Sequence, residues 1–255
     1  MTVRLKYRKV LCALLCTLFL VSALRAQQQF SNHTDNRLRG YLSHYYHGIR
    51  NTWDIKYQKP ILIAGSVLIP ISLLLENQVQ NYAQKHGFYS DNISRIGDLY
   101  GHRWGYYATL TTIIAFGIIT DQSWQRTLSN TGLLVESILT TSTVTSIIKT
   151  ISHRQRPNGK GCRSYPSGHT SSAFALAAVI KYLYGKYPGC YAYGMAAFVA
   201  SSRINDNKHY LSDVVSGALL GILIGRSFIR QHATELQYSI ELNSDCIQLG
   251  LHLPL

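Results

Sequence analysis

The chain has 255 residues, 46% of them hydrophobic and 15% charged, with a formal net charge of +13. That length suits one domain with a processed end, and it is enough to bury a sizeable core. The basic balance points to an anionic partner, but the cations are scattered rather than striped and no nucleic-acid motif occurs, which argues against nucleic-acid binding.

Arg4, Lys6, Arg8 and Lys9 precede an apolar run from Val10 to Leu24, and Ala26 closes it ahead of Gln27. This is the order of a secretory signal peptide over residues 1–26, or of an uncleaved anchor. Of the five cysteines, Cys12 and Cys16 fall in that run. Cys162, Cys190 and Cys246 show no CxxC spacing, so no zinc site is expected.

Residues 27–59 read as an irregular lead-in with one short helix. Six apolar segments follow, at about 60–76, 104–120, 130–150, 170–186, 190–202 and 212–229, rich in Ala, Leu, Ile and Gly and separated by turn residues. That pattern predicts helices rather than strands, with a kink at Pro70. In the tail, 230–255, Tyr238, Ile240 and Leu242 alternate with polar residues. Ile247, Leu249, Leu251 and Leu253 alternate again after Asn243-Ser244-Asp245, and this suggests a β-hairpin. The expected fold is all-α, a six-helix bundle over 60–229 with a short C-terminal hairpin.

A membrane-spanning helix needs roughly 20 apolar residues. The six runs are shorter, and Glu136 and Lys181 interrupt two of them. Parity matters too. With a cleaved signal, or an anchor, the first segment starts outside, and six full crossings would turn the end of the third segment to the cytoplasm. The reading adopted is a membrane-associated bundle, embedded or peripheral, with its site on the periplasmic side of a bacterial-type envelope.

Three polar patches sit at ends of apolar segments. They are Lys149 to Arg156-Pro157, Pro166-Ser167-Gly168-His169, and Ser202-Arg203 to His209 and Asp213. Ser167 to His169 precede a helix, where free N–H groups and the dipole favour anions. His209 and Asp213 are spaced i, i+4, so Asp213 is placed to accept a hydrogen bond from one imidazole nitrogen and leave the other free to attack. A phosphoryl group in transfer spreads charge over three equatorial oxygens. Lys149, Arg156 and Arg203 supply cations for them, and Ser167 and Gly168 add neutral donors. Two histidines can then divide attack from protonation of the leaving oxygen. His153, Arg154, Lys160, Arg163 and Lys208 read as solvated loop charge rather than as holders of a second anionic group, and His102 and Arg103, ahead of the second apolar segment, as weaker candidates to reach the mouth of the site.

These residues resemble a known signature. Lys149 with six residues before Arg156-Pro157, then Pro166-Ser167-Gly168-His169, then Ser202-Arg203 with five residues before His209 and three more before Asp213 is similar to the tripartite motif of the type-2 phosphatidic acid phosphatase superfamily. That superfamily includes lipid phosphate phosphatases, class A acid phosphatases and vanadium haloperoxidases. The motif-bearing core covers about 130–229, not the lead-in or the tail. The resemblance implies an all-helical fold with His209 as a nucleophile forming a phosphohistidine, Asp213 orienting it, and His169 as general acid and then base. Lys149, Arg156, Ser167, Gly168 and Arg203 would bind phosphate, with no metal or other cofactor. The expected activity is hydrolysis of a lipid phosphate or lipid pyrophosphate. A soluble phosphomonoesterase and a vanadate-dependent haloperoxidase are the alternatives.

Overall fold

The computed structural model describes the backbone of residues 34–244, and the side chains of 43–101 and 104–234. The chain divides into a small unit, Met1–His44 with Leu255, and a main unit, Tyr45–Pro254. Of the small unit, the described residues, from Thr34, are helical.

Eight α-helices are present among the described residues: α1 (Thr34–Thr52), α2 (Ile55–His86), α3 (Asp91–Leu99), α4 (Gly105–Ile119), α5 (Trp124–Ser152), α6 (Gly168–Tyr184), α7 (Lys186–Asn205) and α8 (Leu211–Ser244), with a π-helical turn at Tyr100–Trp104. No strand occurs among the described residues. Each of the six apolar segments is a helix. The 27–59 segment departs from its irregular reading, because α1 is regular. Its Tyr45 and Ile49 pack on the core that includes Phe228, a one-turn spacing that low overall hydrophobicity conceals. The tail departs too. α8 runs on through Tyr238 to Leu242, so a helix stands where the first hairpin strand was expected. No Gly or Pro interrupts 226–244, and Glu235, Leu236, Gln237, Glu241 and Leu242 are good helix formers, so the helix continues. The second half of the hairpin, like residues 1–26, lies outside the described residues. α2 continues as one helix through Pro60 and Pro70.

The helix ends follow local chemistry. Asp54 caps α2 by accepting from the Tyr57 N–H, and Ser123 caps α5 by accepting from Arg126. His153 closes α5 in the left-handed region (φ 46°), which turns the chain before Pro157. Gly185 at φ 85° separates α6 from α7.

α6 is the central helix. Ala175, Ala177 and Val179 are fully buried, and Leu176 nearly so. Its closest neighbour is α8, where Gly217, Gly221 and Gly225 recur every four residues. A Cβ at Gly221 would lie 2.1 Å from the Ser171 carbonyl oxygen, and one at Gly217 2.7 Å from that of Ser167. Only glycine permits that backbone approach. The closeness ties the N-termini of α6 and α8 together, and the Ser167 N–H donates to the Asp213 carbonyl at 2.9 Å.

Among the described residues, three helices are long and apolar enough to cross a membrane: α2, α5, and α8 over Leu211–Thr234. They exceed the apolar runs read from sequence because polar turns at their ends are also helical. In the most apolar window of α2 only 6% of the residues are buried. Leu62, Val67, Ile71, Leu74 and Leu75 face outward, as do Val135, Leu139, Ile147 and Ile151 of α5. An outward apolar face on this scale suits lipid rather than water.

Gly221→Leu should force α6 and α8 apart and cost about 3 kcal/mol or more of stability. Gly132→Ala, at a position where a Cβ meets nothing within 4 Å, should be neutral or slightly stabilising. Thermal unfolding of the two variants in detergent checks the contrast.

Candidate active site

The three patches converge at one end of the bundle. α5 delivers Lys149, the loop after it delivers Arg154 and Arg156, and α6 begins at Gly168. α7 ends with Arg203, and His209 lies in the turn before α8. The alternating direction of these helices brings residues 60 positions apart to one place.

His209 and Asp213 form the buried centre, at 3% and 0% exposure. His209 Nδ1 stands 3.6 Å from Asp213 Oδ2, ion-pair reach rather than hydrogen-bond length. Asp213 is otherwise fully engaged. Its Oδ2 accepts from the Tyr210 N–H at 2.9 Å and from Ser164 Oγ, and its Oδ1 accepts from Arg154 Nη1 at 2.8 Å. Burial pushes His209 down to about 4, against the opposing pull of Asp213, and the nearby Lys149 and Arg156 push the same way as burial. The imidazole is therefore neutral at neutral pH, with a lone pair available.

Lys149 Nζ donates to the carbonyls of Arg163 (2.7 Å) and Ser164 (3.4 Å). No carboxylate pairs with it or with Arg156 among the described residues. Ser167 is buried at the residue before α6, and its Oγ accepts from Thr170 Oγ1 at 2.9 Å rather than from a backbone N–H of the helix. At Gly168 a Cβ would make only ordinary contacts, 3.7 Å from Lys149 Cε and from Thr145 Cγ2. Protein packing alone does not demand glycine there, so the open approach faces whatever binds in front of the helix.

His169 and Arg203 lie on the other side and share Asp98, at the end of α3. Oδ1 of Asp98 is 3.2 Å from His169 Nε2 and pairs closely with Arg203 Nη1. Arg203, only 1% exposed, also donates to Asp206 Oδ2 at 2.8 Å. The His169 contact, with Arg203 and Lys208, holds the Asp98 carboxyl well below the usual carboxylate range. A cavity of about 210 Å³ opens beside His169, lined also by Lys149, Gly168, Gly101 and Tyr106.

Thus the structure brings Lys149, Arg156, Ser167, Gly168, His169, Arg203, His209 and Asp213 to one end of the bundle. Two loop cations are not the solvated charges that the sequence suggested. Arg154 is clamped by Asp213 and Glu76, with its guanidinium 4.5 Å over the Tyr210 ring. Lys208 reaches Asp206 at 3.2 Å and Asp98 at 3.7 Å. His153, Lys160 and Arg163 are exposed. The side chains of His102 and Arg103 lie outside the described residues. Asp98, Glu76, Ser164 and Asp206 were missed. The available signal was scarcity: the chain has 12 acids, and Glu76 ends an apolar stretch, where a charge asks for a partner.

A buried histidine–carboxylate pair thus lies among cations at one end of the helical bundle. Residues 130–237, from α5 into α8, match the model of the PAP2 superfamily. The chain is 47% identical over 75 residues to a lipid A 1-phosphatase of Porphyromonas gingivalis, covering 28% of this chain and 17% of that protein. It is 32% identical over 142 residues to lipid phosphate phosphatase 1 of Arabidopsis thaliana, covering 39% and 43%. The chain thus spans less than half the length of either relative. The crystal structure of Aquifex aeolicus LpxE shares the fold, with a TM-score of 0.50 and 20% identity over 61% of this chain and 95% of that one.

The unfolded His209 side chain takes up a proton near 6.5, whereas the folded one does so only near 4. Its burial therefore leaves stability complete above about pH 6.5 and erodes it as the pH falls towards 4. Unfolding measured across that window should show the decline, and His209→Gln should flatten it.

Proposed function

We propose that the chain is a membrane-held phosphatase that removes phosphate from a lipid phosphate or lipid pyrophosphate through a phosphohistidine on His209. The observation that carries the reading is the neutral, buried His209 beside the Asp213 carboxylate, facing Lys149 and Arg156, cations that no carboxylate pairs with among the described residues. A phosphate group would supply the missing negative charge.

The chemistry follows from the geometry. With Nδ1 turned to Asp213, Nε2 of His209 attacks phosphorus, and the bond to the leaving oxygen breaks. His169 protonates that oxygen, then takes a proton from the water that hydrolyses the phosphohistidine. Lys149, Arg156 and Arg203 stabilise charge on the phosphoryl oxygens, with the Ser167 hydroxyl and the Gly168 N–H at the α6 N-terminus. This set carries the electrostatic load without a metal. The outward apolar faces of α2 and α5 and the names of the relatives support a lipid substrate.

The basic-then-apolar N-terminus supports an envelope location, and we place the site on the periplasmic side. α2 runs towards the site, so this placement needs α2 to enter from the cytoplasmic face, opposite to the start that a cleaved signal or an anchor directly before it would give. Two native cysteines report on it. Cys162 lies in the loop at the site, and Cys190 lies on the first turn of α7, about 20 Å along the axis from Arg203. In intact cells an impermeant maleimide should label a variant retaining only Cys162 and spare one retaining only Cys190. The reverse pattern turns the site to the cytoplasm.

Phosphate release by the purified protein, with EDTA present, should occur from lipid phosphates and fall at least about 10³-fold in His209→Ala. Orthovanadate should inhibit. Faster release from a small soluble ester replaces the lipid reading with a general acid phosphatase, and release that survives His209→Ala removes the phosphohistidine.

A further inference from the structure

Behind the His209–Asp213 pair stands a second layer of charge outside the signature. Arg154 Nη1 donates to Asp213 Oδ1, the oxygen not turned towards His209, and to Ser212 Oγ at 2.7 Å. Its Nη2 pairs closely with Glu76 Oε1, and Ser212 Oγ in turn donates to Glu76 Oε2. Glu76 belongs to α2, Arg154 to the loop after α5, and Ser212 and Asp213 to α8. One guanidinium therefore joins three parts of the chain, pinned by two carboxylates and a hydroxyl and stacked on Tyr210. The planar, two-pronged guanidinium fixes the plane of the carboxylate it holds, which a lysine cannot do. The group Glu76–Arg154–Asp213 keeps one net negative charge, and that charge faces His209.

We propose that Glu76 and Arg154 are positioning residues for this site. They hold the Asp213 carboxylate in the orientation that fixes the tautomer and aim of His209, and they do not touch substrate. This rests on the reading of His209 as the nucleophile. The consequence is a burden on kcat rather than on binding, since Lys149, Arg156 and Arg203 remain in place when the brace is cut.

The test compares Arg154→Gln, Arg154→Lys, Glu76→Gln and the Glu76→Gln/Arg154→Gln double variant with the wild-type chain, on whichever lipid phosphate the wild type hydrolyses. Arg154→Gln should lose about 10²-fold in kcat, with KM and competitive inhibition by inorganic phosphate changed less than about threefold. Arg154→Lys should recover part of the loss, and the double variant should be no slower than Arg154→Gln alone. The acid limb of the pH–rate profile gives a readout that a merely structural role would not move. His209 faces Asp213 on α8, Lys149 on α5 and Arg156 in the following loop. Removing the Arg154 cation raises the pH of that limb, and removing the Glu76 anion lowers it. If Arg154→Gln fails to fold, Arg154→Lys and Glu76→Gln carry the same comparison. A kcat within threefold of wild type overturns the proposal, as does a matching loss of phosphate inhibition or a limb that shifts the same way in both charge variants. A wild-type chain inactive on every phosphate ester instead overturns the phosphatase reading.

Discussion

The contact on which the site depends is the backbone approach between α6 and α8. Gly217, Gly221 and Gly225 let α8 press against Ser167, Ser171 and the Ala175–Ala178 stretch of α6. Within a membrane, helices gain little from hiding apolar surface, so close packing and backbone contact carry association. The seam does more than hold two helices. Its site-end terminus is the Ser167 N–H bond to the Asp213 carbonyl, which sets the anion-favouring start of α6 beside the histidine–carboxylate pair. If that spacing opened, the Ser167–Gly168–His169 turn and the His209–Asp213 pair would no longer share one point.

Charge pairing divides the cations by task. Arg154 and Arg203 are each held between two carboxylates, Glu76 with Asp213 and Asp98 with Asp206. Buried or half-buried arginines need such partners, because leaving one unpaired is costly. Among the described residues, Lys149 Nζ donates to carbonyl oxygens and neither Lys149 nor Arg156 pairs with a carboxylate. Arg154 therefore fixes geometry and Arg203 is held in place by its acids, while Lys149 and Arg156 leave the positive potential that an anion would meet. Asp98 ties together the side away from His209 by touching both His169 and Arg203. The same low-dielectric burial that strengthens these pairs keeps His209 uncharged.

Much of the candidate site was legible because its members lie in three short motifs at helix ends, and helix ends in an alternating bundle meet. Their spacing along each segment reports local geometry, which sequence encodes directly. The six apolar segments were legible for the same reason, since apolar composition persists over a helix length. The misreadings share a cause. α1 and the end of α8 are polar enough to hide a helical period, and Tyr238 to Leu242 fit an alternating pattern as well as a helix continued from within. Short polar stretches carry both periods at once.

By itself the sequence determined the helical class, the apolar segments, the basic balance and the set of residues proposed to face an anion. These follow from composition and from spacings of a few residues. Only the tertiary structure decided which acids meet which cations. Glu76 lies 78 residues from Arg154, and Asp98 lies 105 from Arg203. Such pairs depend on how whole helices cross, and crossing is set by side-chain and backbone packing that no local pattern records. The Asp213 carboxylate illustrates the division. Its place four residues after His209 was written in the chain, but the Arg154–Glu76 contacts that orient it exist only once α2, α5 and α8 have packed.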